Sequence, residues 1–312
     1  MTEHDSPDVM NITISPTFCA NYASNIESVA WLNAAPGNIT ALLQRLGVIH
    51  WEQMASDWSI VIRAVISNQS AVYLKASPPG DETSSSIACL VKSDHPQLVR
   101  CIHADGDLGI YVVENVPGAP IAPDTDDKDQ LKSIGTLLAE LNQLDTQPGM
   151  IPLSRWCQDL LHPKLPIPQA ISQNIERCRR LLSTTTSNAW IHGDLHHANI
   201  IQNSETGLLV AIDPKGLVGD PSFDICTFVR NHIPENLDDA ALYAFLERRI
   251  RVIGAAAGYP MDRAFAWAAA GNAHSLLWDL PKTGLLETGH QHHLCRVVAH
   301  LNDLADRYGI TG

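Results

Sequence analysis

The sequence predicts an α+β chain of two lobes, an N-terminal antiparallel sheet lobe with one helix and a larger, mainly helical C-terminal lobe. Three observations predict it. Apolar runs rich in β-branched residues are concentrated in the early part of the chain. A segment rich in proline and glycine follows at residues 116–120, and apolar residues then recur mainly at helical spacing. We therefore expect one lobe over residues 1–115 and a second over residues 116–312.

The N-terminal lobe is predicted from alternating and continuous apolar runs. Two β-rich runs flank the turn-forming Ser-Asn-Gln-Ser at residues 67–70, which favours a hairpin. The elements expected in chain order are a polar, irregular segment over 1–27, a short helix over 38–46, strands over 60–66 and 71–74, a helix over 81–93, and strands over 98–103 and 110–114.

The C-terminal lobe is predicted from helical periodicity with one β-type interruption. Apolar faces recur over 131–144, 171–182, 241–257 and 261–280, and short β-type runs occur at 189–191 and 208–212. Trp267 and Trp278 lie eleven residues apart, which places them on one face of a helix. Core packing is the expectation for both, and stacking on a substrate is the alternative.

Composition limits the classes of function. The 312 residues are 45% hydrophobic and 18% charged, so the chain can bury a sizeable core and is not disordered. The formal net charge of −13 argues against binding to a nucleic-acid backbone and suits a cationic small-molecule substrate.

The expected compartment is the cytoplasm. The seven cysteines form no Cys-x-x-Cys pair, which favours free thiols in a reducing environment. The N-terminal residues are acidic and carry no apolar targeting segment, and no apolar run has the roughly 18 residues that a transmembrane helix needs. We expect no membrane partner, and the sequence leaves the oligomeric state open.

The residues with the clearest chemistry lie between 191 and 224. Polar side chains follow each of the two short β-type runs, with Asp194 and Asn199 five residues apart and Asp213 at the end of the second run. Carboxylate and amide oxygens suit Mg²⁺, and a further carboxylate can deprotonate a hydroxyl group. Phosphoryl transfer requires this combination, and the catalytic loop of protein kinases has the same spacing.

This segment resembles the phosphotransferase motif of the aminoglycoside phosphotransferase family. The run His-Gly-Asp-Leu-His-x-x-Asn at 192–199 is typical of the family. The run Ala-Ile-Asp-Pro-Lys-Gly at 211–216 is similar to the subgroup of streptomycin 6-phosphotransferases and hydroxyurea-resistance kinases. The resemblance implies a protein-kinase-like fold and an ATP- and Mg²⁺-dependent transfer of the γ-phosphate to a hydroxyl of a small molecule, an aminoglycoside such as streptomycin.

The resemblance also implies roles for residues of this segment. Asp194 would be the catalytic base, and His192 would belong to the catalytic loop and support it from behind. Asn199 and Asp213 would bind Mg²⁺. Asp224 would brace the catalytic loop.

Five further residues are implied in nucleotide binding. Lys75 ends an apolar strand and would bind phosphates, with Glu82, or Asp81 beside it, as its ion-pair partner on the following helix. Glu114 and Val116 flank the segment that would hold adenine through backbone atoms. Lys215 has two interpretations, one in which it reaches phosphates and one in which it pairs with Asp220.

Three alternatives remain open at this point. The first is a kinase of the same fold that acts on a cellular metabolite. The second is a degenerate pseudokinase that serves as an interaction module, since residues 55–59 carry no glycine where the family has its nucleotide loop. The third is a metal hydrolase that uses the histidine-rich stretches at 196–197 and 290–293.

Overall fold

A computed structural model describes residues 11–23, 25–123, 127–234, 236–281 and 283–309 of the chain. The described chain forms two compact units. The first comprises residues up to Ser93 together with Val99–Asn115, and the second comprises Asp94–Leu98 and the residues from Val116 onward.

The first unit is an antiparallel sheet accompanied by helices. The five strands lie in the order β1-β2-β3-β5-β4. The elements of this unit are α1 (Pro16–Tyr22), α2 (Ile26–Arg45), β1 (Val48–Met54), β2 (Ile60–Ile66), β3 (Ala71–Ala76), α3 (Asp81–Val91), β4 (Cys101–Asp105) and β5 (Ile110–Glu114).

Strand β3 occupies the centre of this sheet. Leu74 pairs with Ile62 of β2 on one side and Val112 of β5 on the other, and all three side chains are buried. Lys75 is the next residue, so its side chain points to the opposite face of the sheet. The predicted hairpin of β2 and β3, the helix α3 and the strand β5 are confirmed.

The prediction for the start of the chain is wrong in two respects. Helix α1 lies within the segment expected to be irregular, and α2 begins twelve residues before the predicted helix of 38–46. Both helices begin at polar caps, since Ser15 and Asn25 accept hydrogen bonds from backbone N–H groups of the first turn. Pro36 lies inside α2, and a proline at an interior position normally argues against a continuous helix.

Strand β1 is missing from the prediction, and β4 lies a few residues after its expected position. Strand β1 is an edge strand with no buried residue, and it carries His50, Glu52 and Gln53, so it lacks the apolar alternation of a half-buried strand. Strand β4 spans Cys101–Asp105 instead of 98–103, because Leu98 instead bridges to Ala211 in the second unit.

The second unit is mainly helical and contains two small sheets. Its strands form the orders β10-β9-β6 and β7-β11-β8. The elements are β6 (Gly118–Pro120), α4 (Lys128–Leu141), β7 (Ile151–Pro152), α5 (Leu153–Trp156), α6 (Gln158–Leu161), α7 (Gln169–Thr184), β8 (Ala189–Ile191), β9 (Ile200–Asn203), β10 (Leu209–Ala211), β11 (Leu217–Gly219), α8 (Ile225–Arg230), α9 (Asp239–Ala257), α10 (Met261–Asp279) and α11 (Gly289–Tyr308).

Helix α10 runs through the core of the second unit. Its residues from Ala264 to His274 are all buried, which explains why it is apolar around its whole circumference. Trp267 is fully buried, as predicted, but Trp278 near the C-terminal end of the same helix is 51% exposed. The expectation that both indoles belong to the core is therefore wrong for Trp278, which packs on Trp156 at the edge of the core although Leu276 and Leu280 beside it are buried.

Among the residues described, no helix combines the length and the apolar composition needed to cross a bilayer.

The contact between α4 and α9 depends on a glycine. A Cβ atom on Gly135 would lie 2.4 Å from the carbonyl oxygen of Ile253 and 2.6 Å from the Cβ of Ala256. We expect Gly135→Ala to lower the free energy of unfolding by about 1–3 kcal/mol, because the two helices must move apart. Chemical denaturation measures the change.

The control is Gly289→Ala in α11 of the same unit. A Cβ atom on Gly289 would meet no atom within 4 Å. We expect Gly289→Ala to change the free energy of unfolding by less than about 0.5 kcal/mol. Equal stability of the two variants would contradict the close packing of α4 against α9.

Candidate active site

Two loops of the second unit lie side by side and carry the polar residues singled out in the sequence. The first loop joins β8 to β9, and the second joins β10 to β11. The backbone N–H of Lys215 donates to the carbonyl of His192 (2.8 Å), and that of Ile212 donates to the carbonyl of Asn199 (2.9 Å). These bonds bring Asp194, Asn199 and the residues around Asp213 into one region of the unit.

Gly193 permits the close approach of the two loops. Its φ of +82° is in the left-handed region, and a Cβ atom there would lie 2.9 Å from Leu217 Cδ1 and 3.1 Å from Lys215 Cβ. A residue with a side chain would therefore separate the loops. Asp213 also has a positive φ, of 57°, which costs an aspartate about 1–2 kcal/mol and fixes the position of this side chain after β10.

Asp224 supports the first loop from inside the unit. Its carboxylate accepts hydrogen bonds from the backbone N–H groups of His192 (2.9 Å) and Gly193 (2.7 Å). Asn142 of α4 donates to the same carboxylate (3.2 Å) and to the carbonyl of Trp190 (2.8 Å), and it accepts a bond from Tyr259 (2.6 Å). Burial raises the pKa of Asp224 to about 7, while the three N–H donors favour its ionised form.

His192 is buried beneath the first loop. Its side chain is fully buried, its Nε2 lies 2.9 Å from the carbonyl of Ile212, and its Nδ1 accepts from the backbone N–H of Asp194 (3.2 Å). Burial lowers the pKa of His192 to about 4, so the ring is neutral at pH 7. No atom of the ring is accessible, as expected of a residue that supports the loop from behind, and its listing among the catalytic residues stays a prediction.

Asp194 is a partly buried carboxylate surrounded by cations. Its Oδ2 lies 4.0 Å from Lys215 Nζ, and its side chain is 28% exposed. Burial raises the pKa of Asp194, while the charges of Lys215, His196 and Arg230 act in the opposite direction. A carboxylate that is partly exposed, partly desolvated and close to cations can act as a general base.

A hydrogen bond from the amide nitrogen of Asn199 orients this side chain. Nδ2 donates to the carbonyl of Asp194 (2.9 Å) and lies 3.2 Å from His196 Nε2. Among the described residues nothing donates to Oδ1 of Asn199, so this oxygen remains available to a ligand. With the carboxylate of Asp213 it offers the hard oxygen donors that a divalent cation prefers.

Lys215 does not pair with Asp220, so that interpretation is wrong. The Oδ2 of Asp220 is occupied by Arg263 Nε and Trp267 Nε1, each at 2.6 Å, while the ammonium of Lys215 lies near Asp194. The reason is that the partners of the Asp220 carboxylate are on α10. Lys215 lies in the loop that is hydrogen-bonded to His192.

The histidines do not form a metal site among the residues described, where no group of three His, Cys, Asp or Glu side chains has suitable geometry. His197 is buried and its ring stacks on Phe228 at 4.2 Å between centroids, and His292 is exposed on α11. These residues have packing or surface roles in place of the ligand roles that a metal hydrolase would require.

The comparisons with known proteins identify the family. The sequence model of the family described as aminoglycoside/hydroxyurea antibiotic resistance kinase matches residues 59–282. The chain belongs to this family. It is a small-molecule kinase, and the match covers both units.

Individual relatives are distant but nearly full-length. A streptomycin 6-kinase of Streptomyces glaucescens is 24% identical over 289 residues, which cover 86% of this chain and 91% of that protein. Among solved structures, a choline kinase of Streptococcus pneumoniae has a TM-score of 0.59 at 16% identity, covering 87% of this chain and 99% of that one. An amicoumacin kinase in complex with AMP-PNP, Ca²⁺ and Ami has a TM-score of 0.60 at 13% identity. The match covers 88% of this chain and 94% of that one. The predicted protein-kinase-like fold is confirmed.

The candidate nucleotide residues of this kinase lie mainly in the first unit. Lys75 is partly buried in β3, and Glu82 is exposed in the first turn of α3. The carboxylate of Glu114 accepts from the backbone N–H (3.1 Å) and Nε (3.2 Å) of Arg100. The Glu114 side chain is therefore already hydrogen-bonded to Arg100, in the same unit. Val116 belongs to the second unit.

Arg230 and Asn142 are site residues that the sequence reasoning missed. The guanidinium of Arg230, at the end of α8, lies 3.5 Å from Asn272 Oδ1, and its charge acts on Asp194. Arg230 gives no signal in the spacing of residues, because it reaches the site through the packing of α8. Asn142 gives no signal, because its bond to Asp224 joins residues 82 apart.

The cation of Arg230 gives the kinase a testable dependence on pH. Removing this cation in Arg230→Met raises the pKa of Asp194. As the solution is acidified, a reaction that needs the ionised carboxylate therefore begins to lose rate at a higher pH than in wild type. We expect kcat/KM of the variant to fall more on the acid side of the pH profile than on the alkaline side. Arg230→Lys retains the charge and is the control. A pH profile of kcat/KM with the same acid limb in wild type and Arg230→Met would contradict this role.

Proposed function

We propose that this kinase transfers the γ-phosphate of ATP, in the presence of Mg²⁺, to a hydroxyl group of an aminoglycoside such as streptomycin. The observation that carries the proposal is the pair of hydrogen-bonded loops that collects Asp194, Asn199 and Asp213 in one unit. The streptomycin 6-kinase of S. glaucescens, which aligns with most of this chain, supports the class of acceptor.

Asp194 acts on the acceptor hydroxyl. Its carboxylate accepts the hydroxyl proton as the oxygen attacks phosphorus, and the bond from phosphorus to the leaving oxygen of the nucleotide breaks. Lys215 and Arg230 oppose the effect of burial on Asp194 and favour the ionised form that accepts the proton. The backbone around Asp194 is fixed by Asp224, so little reorganisation is needed at the moment of reaction.

Asn199 and Asp213 would hold the divalent cation. The fit rests on the donor set, an amide oxygen without a hydrogen bond among the described residues and a carboxylate fixed by its backbone conformation. A bound Mg²⁺ would neutralise charge on the phosphates. The Ca²⁺ and AMP-PNP in the structure of the amicoumacin kinase support a nucleotide with a divalent cation.

Residues of the first unit also have candidate roles in binding a nucleotide. We assign Lys75 to the phosphates, with Glu82 as its partner, and the backbone between Glu114 and Val116 to adenine. These assignments follow from the family resemblance and from the place of Lys75 at the end of the central strand β3.

The acceptor is expected to be cationic, because the chain carries a formal net charge of −13. A kinase for a cellular metabolite is the second candidate, and the likeness in fold to a choline kinase favours it. A pseudokinase is disfavoured, since a chain released from catalysis has no physical need to keep Asp194, Asn199 and Asp213.

The test of the proposal is ADP release with ATP and Mg²⁺ against a panel of streptomycin, other aminoglycosides, hydroxyurea, choline and simple amino alcohols. We expect turnover with an aminoglycoside and a loss of roughly 10²–10⁴ in kcat for Asp194→Asn. The matched control is Asp303→Asn, which changes an exposed carboxylate on α11 and should retain turnover.

The outcomes separate the candidates. Turnover with choline or an amino alcohol, and none with any aminoglycoside, would favour the metabolite kinase. Absence of turnover with the whole panel, together with no binding of ATP, would favour the pseudokinase. Full activity of Asp194→Asn would contradict the assignment of the base.

A further inference from the structure

An aromatic corner lies at the exposed end of α10. It consists of Trp156 from α5 and of His274 and Trp278 from α10. The ring centroids of Trp156 and Trp278 are 5.2 Å apart with planes at 88°, and His274 lies 4.4 Å from Trp278 and 6.4 Å from Trp156. Trp278 is 51% exposed, so part of its indole is open to solvent.

His274 has an unsatisfied polar atom at the centre of this corner. The residue is 1% exposed, and its Nε2 has no hydrogen-bond partner among the described residues. A buried polar atom without a partner costs free energy unless a ligand or water supplies one. Burial lowers the pKa of His274 to about 4, so at neutral pH the ring carries no charge that would repel a cation.

Helix α8 lies between the corner and the catalytic loop, since its Phe228 stacks on His197 of that loop and its Arg230 contacts Asn272 of α10, two residues before His274. Asp159 acts electrostatically on His274, and Arg230 acts on both His274 and Asp194. Asp279, adjacent to Trp278, also acts on Arg230. Two exposed carboxylates, Asp159 and Asp279, and one exposed guanidinium, Arg155, lie within three residues of the two indoles along the chain.

We propose that the corner of Trp156, His274 and Trp278 is the part of the acceptor site that binds a planar cation, a guanidinium group of the acceptor. This inference rests on the proposed function, which places the acceptor hydroxyl at Asp194. The exposed indole offers its π face to the cation, and the second indole meets it edge-on. Asp159 and Asp279 supply the opposite charge, and Nε2 of His274 gains a polar partner.

A guanidinium group fits this corner better than an ammonium group. It is flat, it is weakly hydrated, and it stacks on an aromatic face, whereas an ammonium group is a compact and strongly hydrated charge. Streptomycin carries guanidinium groups, and many aminoglycosides carry only amines. The corner therefore selects between acceptors within one class of antibiotic.

The test measures equilibrium binding by calorimetry with two probes, streptomycin and phenylguanidinium. We expect wild type to bind both, and Trp278→Ala to weaken the binding of both by about five- to thirtyfold. Trp278→Phe retains an aromatic face and should restore most of the affinity. The control is Ile49→Ala, which removes another exposed apolar side chain, 59% exposed, from the first unit and should leave both dissociation constants unchanged.

The results distinguish this inference from the proposed function. If wild type binds neither probe, or if Trp278→Ala binds both as wild type does, the inference is overturned. If Trp278 is required for binding but streptomycin is not phosphorylated, the assignment of the corner is supported and the proposed acceptor reaction is wrong. If Trp278→Ala phosphorylates streptomycin with an unchanged KM, the proposed function stands and the corner is overturned.

Discussion

The geometry of the site depends on the carboxylate of Asp224. It accepts the N–H groups of His192 and Gly193 at the point where the chain leaves β8, and a third donor, Asn142, comes from α4. Hydrogen bonds to an ionised acceptor are shorter and stronger than neutral ones, so two of them fix the direction of the following residues. The position of Asp194 therefore follows from a residue thirty positions later in the chain.

This support has a cost in stability. The pKa of Asp224 is about 7 in the folded chain, above the value near 4 of an unfolded carboxyl group. Between these values the folded state binds more protons than the unfolded state, so the free energy of unfolding falls as the pH rises from 4 to 7. Above pH 7 the ionised carboxylate costs the fold a few kcal/mol and holds the catalytic loop in return.

Much of the site could be predicted from the sequence because its residues are local. Asp194 and Asn199 lie in one loop, and Asp213 follows the next β-type run, so their spacing is visible along the chain. The predicted fold class holds for the same reason, since β-rich runs and helical periodicity are local patterns.

The parts that could not be predicted are contacts between distant residues. Asn142 and Arg230 reach the site through helix packing, which leaves no mark in the spacing of residues. The edge strand β1 lacks a buried face, and α2 contains Pro36, so local rules fail at both. The two indoles of α10 share a helical face, but only tertiary packing determines that Trp267 is buried and Trp278 is exposed.

The most direct test of the account is the kinetics of Asp224→Asn with the acceptor that gives the fastest turnover. Asparagine has the same shape, but its amide cannot accept both N–H groups. The account predicts that kcat falls by about ten- to a hundredfold while KM for the acceptor changes little, because loop positioning is lost and the acceptor contacts remain. A wild-type kcat for this variant would contradict the dependence of the site on Asp224.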